Sequence, residues 1–91
     1  MTHAIVLIQA ERNALAGLGG QLAEIDGVAE AYSVTGEWDF AVIVRLRAQH
    51  DLANVVTERI SQLPGIVKTQ TMVAFEVFSR HDLESMFSIG E

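Results

Sequence analysis

Hydrophobic periodicity changes several times along this chain, and the order of those changes leaves few folds open. Short apolar runs with a period of two alternate with longer stretches in which apolar residues recur every three or four positions. The first pattern is typical of β-strands and the second of amphipathic helices. Because the whole chain has 91 residues, we expect one domain with one core.

The segments predict the element order β-α-β-β-α-β. The strands are expected at residues 3–10, 28–35, 40–44 and 66–78, and the helices at the apolar stripes Leu15, Leu18, Leu22, Ile25 and Leu52, Val55, Val56, Ile60, Leu63. A turn at residues 36–39 makes a hairpin of the second and third strands, and Pro64-Gly65 ends the second helix. This order predicts an α+β, ferredoxin-like fold, with both helices on one face of an antiparallel four-stranded sheet.

The predicted strands are apolar on both faces, although two helices can cover only one. In the first strand Ile5 and Leu7 alternate with Val6 and Ile8, and the third strand behaves in the same way. A bare sheet face of this composition is larger than the apolar patch that monomers usually expose. We therefore expect a second copy to pair sheet to sheet, giving a dimeric α+β barrel.

The last residues have a different pattern. Ser79 and Asp82 have the spacing of a helix capping box, and Leu83, Met86 and Phe87 recur at helical spacing. We expect residues 1–78 to form the domain and residues 79–91 to form an amphipathic tail helix.

Composition excludes several classes of function. The chain has no cysteine, which excludes disulfides, a zinc ribbon and a thiol nucleophile. Its net charge is -6 and its basic residues are scattered, so direct binding to nucleic acid or to an anionic membrane is disfavoured. Neither a signal peptide nor a membrane span is expected at the N-terminus. We expect a cytoplasmic protein.

No constellation for catalysis, metal binding or cofactor binding is predicted. The three histidines are isolated from one another in sequence. Gly17, Gly19 and Gly20 lie within a helical apolar stripe and no lysine follows them, so we expect close helix packing there and not a phosphate loop.

Two polar segments interrupt the apolar pattern, and each has two interpretations. Residues Gly36, Glu37, Trp38 and Asp39 form either a plain turn or a pocket. In the pocket, Asp39 receives an ammonium, exposed N–H groups of the loop receive a carboxylate and Trp38 supplies an apolar wall. The polar residues 69–71 in the fourth strand are either edge positions or part of a site.

The ordered set of motifs resembles the effector-binding (RAM) domain of the Lrp/AsnC family of amino-acid-responsive transcriptional regulators. The resemblance is carried by residues 34–40 (VTGEWDF), with the Gly-x-x-Asp hairpin of the family, and by residues 63–71 (LPGIVKTQT), with its Leu-Pro-Gly and Thr-x-Thr motifs. It implies dimers that assemble further into rings and that bind free amino acids or related small metabolites. The ligand-binding residues that we expect are Gly36, Glu37, Trp38, Asp39, Thr69, Thr71, Met72 and Val73.

Three function classes follow from these observations. The leading hypothesis is a stand-alone ligand-binding and oligomerisation module, because the helix-turn-helix domain of full-length family members has no counterpart in this sequence; a full-length regulator is then a possible partner. The alternative is a small dimeric α+β barrel enzyme of the monooxygenase or isomerase type, which an absorbance spectrum with a bound haem or flavin would favour. An RNA-binding sheet face is disfavoured by the acidic balance.

Overall fold

The computed structural model describes residues 1–78 and residue 80. The elements are β1 (Thr2–Ala10), a 3-10 turn (Arg12–Ala14), α1 (Leu15–Ala23), β2 (Val28–Ser33), β3 (Phe40–Leu46), α2 (Asp51–Ala53), which continues as a π-helix (Asn54–Ile60), and β4 (Ile66–Val73). This order confirms the predicted β-α-β-β-α-β arrangement. The predicted tail helix lies outside the described residues, apart from residue 80.

The four strands form one antiparallel sheet in the order β2-β3-β1-β4. Ile5 of β1 lies between Ile43 of β3 and Met72 of β4, and this register determines which side chains share a face. β1 and β3 are the central strands, which explains why they are the most apolar. β2 and β4 are the edges of the sheet.

One face of the sheet and both helices enclose a single core. Alternate residues of β1 and β3 point into it, and the helices contribute the remaining buried side chains. The fully packed members are Ala4, Val6, Ile8, Leu18, Leu22, Phe40, Val42, Val44, Leu52, Val55 and Ile60. Burial of one such aliphatic side chain contributes about 1.5 to 3 kcal/mol, so this one layer holds the chain together.

The opposite face, which we call the open face, carries Ile5 and Ile43 on its central strands and Tyr32 and Met72 on its edge strands. Ile5 is 37% exposed, Met72 40% and Tyr32 47%. None of the helices among the described residues covers this face. Its apolar composition agrees with the expectation from the sequence, and the pairing of two such faces stays a prediction.

β2 carries a bulge that simple alternation does not predict. Val28 lies opposite Val44, and Glu30 lies opposite Ile43, so two steps along β2 match one step along β3. Val28 therefore packs against the core, whereas Glu30 and Tyr32 lie on the open face. A strict period of two puts all three on one face, which is wrong at Val28.

β4 ends at Val73, although the apolar pattern predicts a strand as far as residue 78. Val73 lies opposite Ala4, and the Ala74 N–H donates to the His3 carbonyl at 2.9 Å. Because the pairing is antiparallel, residue 75 would lie opposite Thr2, the first residue of β1, and the chain beyond it runs past its neighbouring strand. The missing partner, and not the composition, keeps β4 from reaching residue 78.

The second helix ends at Ile60, before the last residue of its predicted stripe. The Ser61 N–H and hydroxyl both donate to the Val56 carbonyl, at 2.9 and 2.8 Å, and close its last turn. Leu63 still packs against the core from the loop that follows. The stripe thus predicts burial correctly and the helix boundary incorrectly.

The glycines of α1 behave differently from one another. A Cβ at Gly19 would lie 3.4 Å from the Phe40 ring, so the helix does approach the sheet closely at this position. A Cβ at Gly17 or Gly20 would meet no atom of the described chain within 4 Å. The expectation of close packing is therefore confirmed for Gly19 and wrong for the other two within this chain. No helix among the described residues is both long and apolar enough to cross a membrane.

Candidate functional site

The loop between β2 and β3, residues 34–39, is a closed turn that depends on a glycine. The Val34 N–H donates to the Asp39 carbonyl at 3.0 Å, which brings the two ends of the loop together. Gly36 has a φ of 105°, in the left-handed region that side chains with a Cβ rarely adopt. A Cβ there would meet nothing within 4 Å, so the need for glycine is conformational and the space beside it is open.

Asp39 fastens this loop to the end of β1. Its N–H donates to the Ile8 carbonyl at 2.8 Å, and its Oδ2 accepts the Ala10 N–H at 2.8 Å in a part-buried setting. The ladder between β1 and β3 ends at the pair Ile8–Phe40, so the Ala10 N–H, two residues further on the same side of β1, needs an acceptor outside the regular ladder. Asp39 therefore has a structural task in addition to the ligand contact that the sequence predicts.

A second set of contacts connects the loop to β4. The Gln9 side-chain amide donates to the Glu37 carbonyl at 3.0 Å. Lys68, which lies opposite Gln9 in the sheet, holds its Nζ 5.6 Å from the centre of the Trp38 ring. A cation in this position over an indole is attracted by about 0.5 to 1 kcal/mol at an exposed site. Residues from the loop, β1 and β4 thus meet at one end of the sheet.

The expected β4 contacts are divided between the two faces of the sheet. Thr69, Thr71 and Val73 lie opposite β1 residues that point toward the helices, whereas Met72 lies opposite Ile5 on the open face. Thr69 is near the loop, because it pairs with Ile8, the residue that accepts the Asp39 N–H. Since a strand rises about 3.3 Å per residue, Val73 lies more than 10 Å further along β4.

Within one chain the four loop residues therefore lie together, Thr69 is separated from them by Ile8 of β1, and Thr71, Met72 and Val73 lie progressively further along β4. β4 is an edge strand, as one interpretation of its polar residues supposes. The structure also adds three residues that the sequence reasoning missed, namely Gln9, Ala10 and Lys68. The available signals were Gln9, a polar residue near the end of an apolar strand, and Lys68, the one lysine of the sequence.

One titratable pair lies on the open face. The Tyr32 hydroxyl donates to Glu30 Oε2 at 2.5 Å. This hydrogen bond is the main cause that raises the pKa of Tyr32; desolvation and the negative charge of Glu30 act in the same direction, and Arg45 opposes them. Among the described residues there is no group of three or more His, Cys, Asp or Glu side chains that could hold a metal ion.

The sheet with two helices on one face, and a glycine-aspartate hairpin fastened to a central strand, define a small ferredoxin-like α+β domain. Residues 3–83 match the Lrp/AsnC ligand binding domain family. The chain belongs to this family, which confirms the resemblance seen in its motifs. The domain is a regulatory, ligand-binding one and not a catalytic one, so the alternative of a small barrel enzyme is wrong.

Relatives and solved structures agree with this assignment. The chain is 38% identical over 55 residues to an uncharacterized HTH-type transcriptional regulator of Pyrococcus furiosus, covering 60% of this chain and 37% of the relative. The structure of TTHA0845 from Thermus thermophilus has a TM-score of 0.82 and 42% identity, covering 88% of this chain and 100% of that one. The match thus spans little more than a third of the length of the first curated relatives, but all of the solved Thermus chain.

A more distant likeness includes a bound ligand. The feast or famine regulatory protein of M. tuberculosis, solved in complex with L-methionine, has a TM-score of 0.73 and 22% identity, covering 87% of this chain and 53% of that one. At this identity the likeness shows the fold alone.

Proposed function

We propose that this chain is an amino-acid-responsive ligand-binding and assembly module. The observation that carries the proposal is the loop at residues 36–39, which hydrogen bonds hold on β1 while the space beside Gly36 stays open. The loop presents two carboxylates and the side of an indole, which suit the ammonium and the apolar part of an amino acid. L-Methionine in the M. tuberculosis regulator supports an amino acid or a related small metabolite as ligand.

The proposed site is completed by another copy of the chain. The expected β4 contacts at Met72 and Val73 lie about 10 Å or more beyond Thr69 along the strand, too far to reach a small ligand beside Gly36 of the same chain. A ligand between two dimers would instead contact the loop of one chain and β4 of another. The apolar open face supports the sheet-to-sheet dimer from which such a ring is built.

A thermal-shift screen of the twenty amino acids tests the proposal. A ligand at about a hundred times its dissociation constant stabilises the folded form by roughly 2.7 kcal/mol, which is about ten degrees or more of melting temperature for a domain of this size. We expect one or a few amino acids to give such a shift. The proposal fails if none of the twenty changes either the melting temperature or the assembly state at millimolar concentration.

We further propose that the module acts in the cytoplasm and influences transcription through a partner. With a net charge of -6 the chain itself would be repelled by duplex DNA at physiological salt. Its relatives are named as HTH-type regulators, so a full-length family member is the expected DNA-binding partner. A gel-shift assay is expected to show no complex with the pure chain and altered migration when such a regulator is added. Salt-sensitive submicromolar binding by the pure chain contradicts this.

A further inference from the structure

The single lysine of the chain lies over its single tryptophan. Lys68 and Trp38 come from β4 and from the β2–β3 loop, and both flank Gln9 of β1. The Lys68 side chain is exposed, so its ammonium is held over the indole and not buried in the core. This places one positive charge against the loop that the proposed ligand must contact.

This end of the sheet carries charges of both signs. Such a site suits a free amino acid, which has both an ammonium and a carboxylate. Glu37 and Asp39 are negative and Lys68 is positive. The Oδ2 atom of Asp39 already accepts the Ala10 N–H, and the Glu37 carbonyl already accepts the Gln9 amide. The carboxylates of Glu37 and Asp39 repel a ligand carboxylate, and a cation close to them offsets that repulsion. Lys68 is a cation at the loop itself.

We propose that Lys68 recognises the α-carboxylate of the ligand and so restricts the site to free amino acids, excluding amides and other derivatives without that charge. This inference rests on the proposed function and adds to it the residue that selects the ligand class. The Trp38 ring keeps the ammonium of Lys68 near the loop in the empty site, and the ligand carboxylate then competes for it. A charge-assisted hydrogen bond of this kind is stronger than a neutral one.

The test uses the emission of Trp38, because no other tryptophan contributes to it. L-Methionine and L-methioninamide are titrated first, followed by the amino acid with the largest thermal shift and its amide. The proteins are the parent chain, Lys68→Met, Lys68→Arg and the control Arg59→Met. Methionine keeps the apolar stem over the indole without the charge. The Arg59 guanidinium lies 3.9 Å from the Asp26 carboxylate, away from the loop, so its loss changes net charge equally without touching the site.

We expect the parent chain to bind the free acid about 10- to 100-fold more tightly than the amide, the range for a hydrogen bond to a charged group. Lys68→Met is expected to lose this preference, Lys68→Arg to keep most of it and Arg59→Met to keep it fully. Trp38 emission should change on binding in the parent chain.

The outcomes separate the inference from the proposed function. If an amino acid raises the melting temperature but acid and amide bind equally, or if Lys68→Met binds the acid as tightly as the parent, the inference is wrong and the proposed function stands. If Arg59→Met loses the preference as Lys68→Met does, the effect is one of net charge and the inference is again wrong. If no amino acid binds at all, both fail.

Discussion

At the scale of single residues, Asp39 has two possible tasks that a pair of substitutions can separate. Asp39→Ala removes the acceptor for the part-buried Ala10 N–H, so we expect the free energy of unfolding to fall by about 1 to 3 kcal/mol. Asp39→Asn keeps an oxygen acceptor and removes the charge, so its stability should stay close to that of the parent chain. Urea denaturation measures both values.

The same pair tests the ligand contact. If the Asp39 carboxylate faces the ligand ammonium, Asp39→Asn melts like the parent chain when empty but loses the stabilisation by the amino acid. An Asp39→Asn protein that responds to the amino acid as the parent does would leave Asp39 with its structural task alone. An Asp39→Ala protein with unchanged stability would contradict the importance of the Ala10 hydrogen bond.

Tyr32 provides a second measurement at a single residue, because it is the only tyrosine of the chain. Its hydrogen bond to Glu30 raises the pKa of the phenol in the folded state above its ordinary value of about 10. The pair therefore stabilises the fold below the unfolded pKa, and this stabilisation is lost as pH rises through the folded pKa. Phenolate absorbance should appear at higher pH in the folded chain than in urea. Glu30→Gln should move the pKa of Tyr32 back toward the ordinary value.

The local sequence predicts the conformation or the grouping of some of these residues, but not the contacts that others make across the sheet. The positive φ of Gly36 follows from its place in a tight turn, and the grouping of Trp38 with Asp39 follows from their being neighbours. The hydrogen-bond partner of Asp39 does not, because Ala10 is 29 positions away and its N–H needs an acceptor only because the β1–β3 ladder ends at Ile8. The stacking of Lys68 on Trp38 depends on the strand order in the same way.

At the scale of elements, Gly65 joins two parts of the chain that the sequence keeps apart. It has a φ of 92°, and a Cβ there would lie 2.3 Å from the Ala14 Cβ. The Glu11 N–H donates to its carbonyl at 2.8 Å, so the loop before β4 is packed on the turn that follows β1. Gly65→Ala is expected to destabilise by about 1 to 2 kcal/mol for its backbone conformation and about 1 to 3 kcal/mol for overpacking.

Gly36→Ala is the matched control, because Gly36 has a similar φ of 105° but open space around it. Only the conformational part of the destabilisation should appear there. Adding Ala14→Gly to Gly65→Ala should recover the packing part, which a double-mutant cycle in urea would detect as a coupling between the two positions. If Gly36→Ala and Gly65→Ala lower the free energy of unfolding equally, the contact with Ala14 does not affect stability.

Element order could be predicted because it depends on periodicity within each segment, whereas element ends depend on neighbours. The helical and strand periods of residues 3–25 and 40–63 have the predicted types in the structure. β4 cannot continue to residue 78 because β1 begins at Thr2, and no property of residues 76–78 themselves records this. The bulge in β2 is likewise a property of its pairing with β3.

At the scale of the whole molecule, the open face is the feature that a single chain leaves incomplete. The core is a single layer between the sheet and two helices, while Ile5, Met72 and Tyr32 stay between a third and a half exposed on the other side. Phe75 and Phe78 extend this exposed apolar surface beyond β4, at 101% and 78% exposure. We expect self-association because of this surface, and the oligomeric state of the chain in solution tests that expectation.

The last prediction compares a substitution on the buried face of the sheet with substitutions on and beside the open face. Val42 is completely buried beneath the helices, so Val42→Glu is expected to unfold the chain. Ile5 lies on the open face and Phe75 just beyond β4, so Ile5→Glu and Phe75→Glu should leave the single chain folded. In a sheet-to-sheet dimer, however, an unpaired charge at Ile5 would cost several kcal/mol and separate the two copies. Light scattering should then give the parent chain as a dimer or a multiple of dimers, and Ile5→Glu as a folded monomer of 9.9 kDa with unchanged far-UV circular dichroism. If the parent chain is itself a stable monomer of that mass, the open face has no partner copy and the proposed ring cannot form.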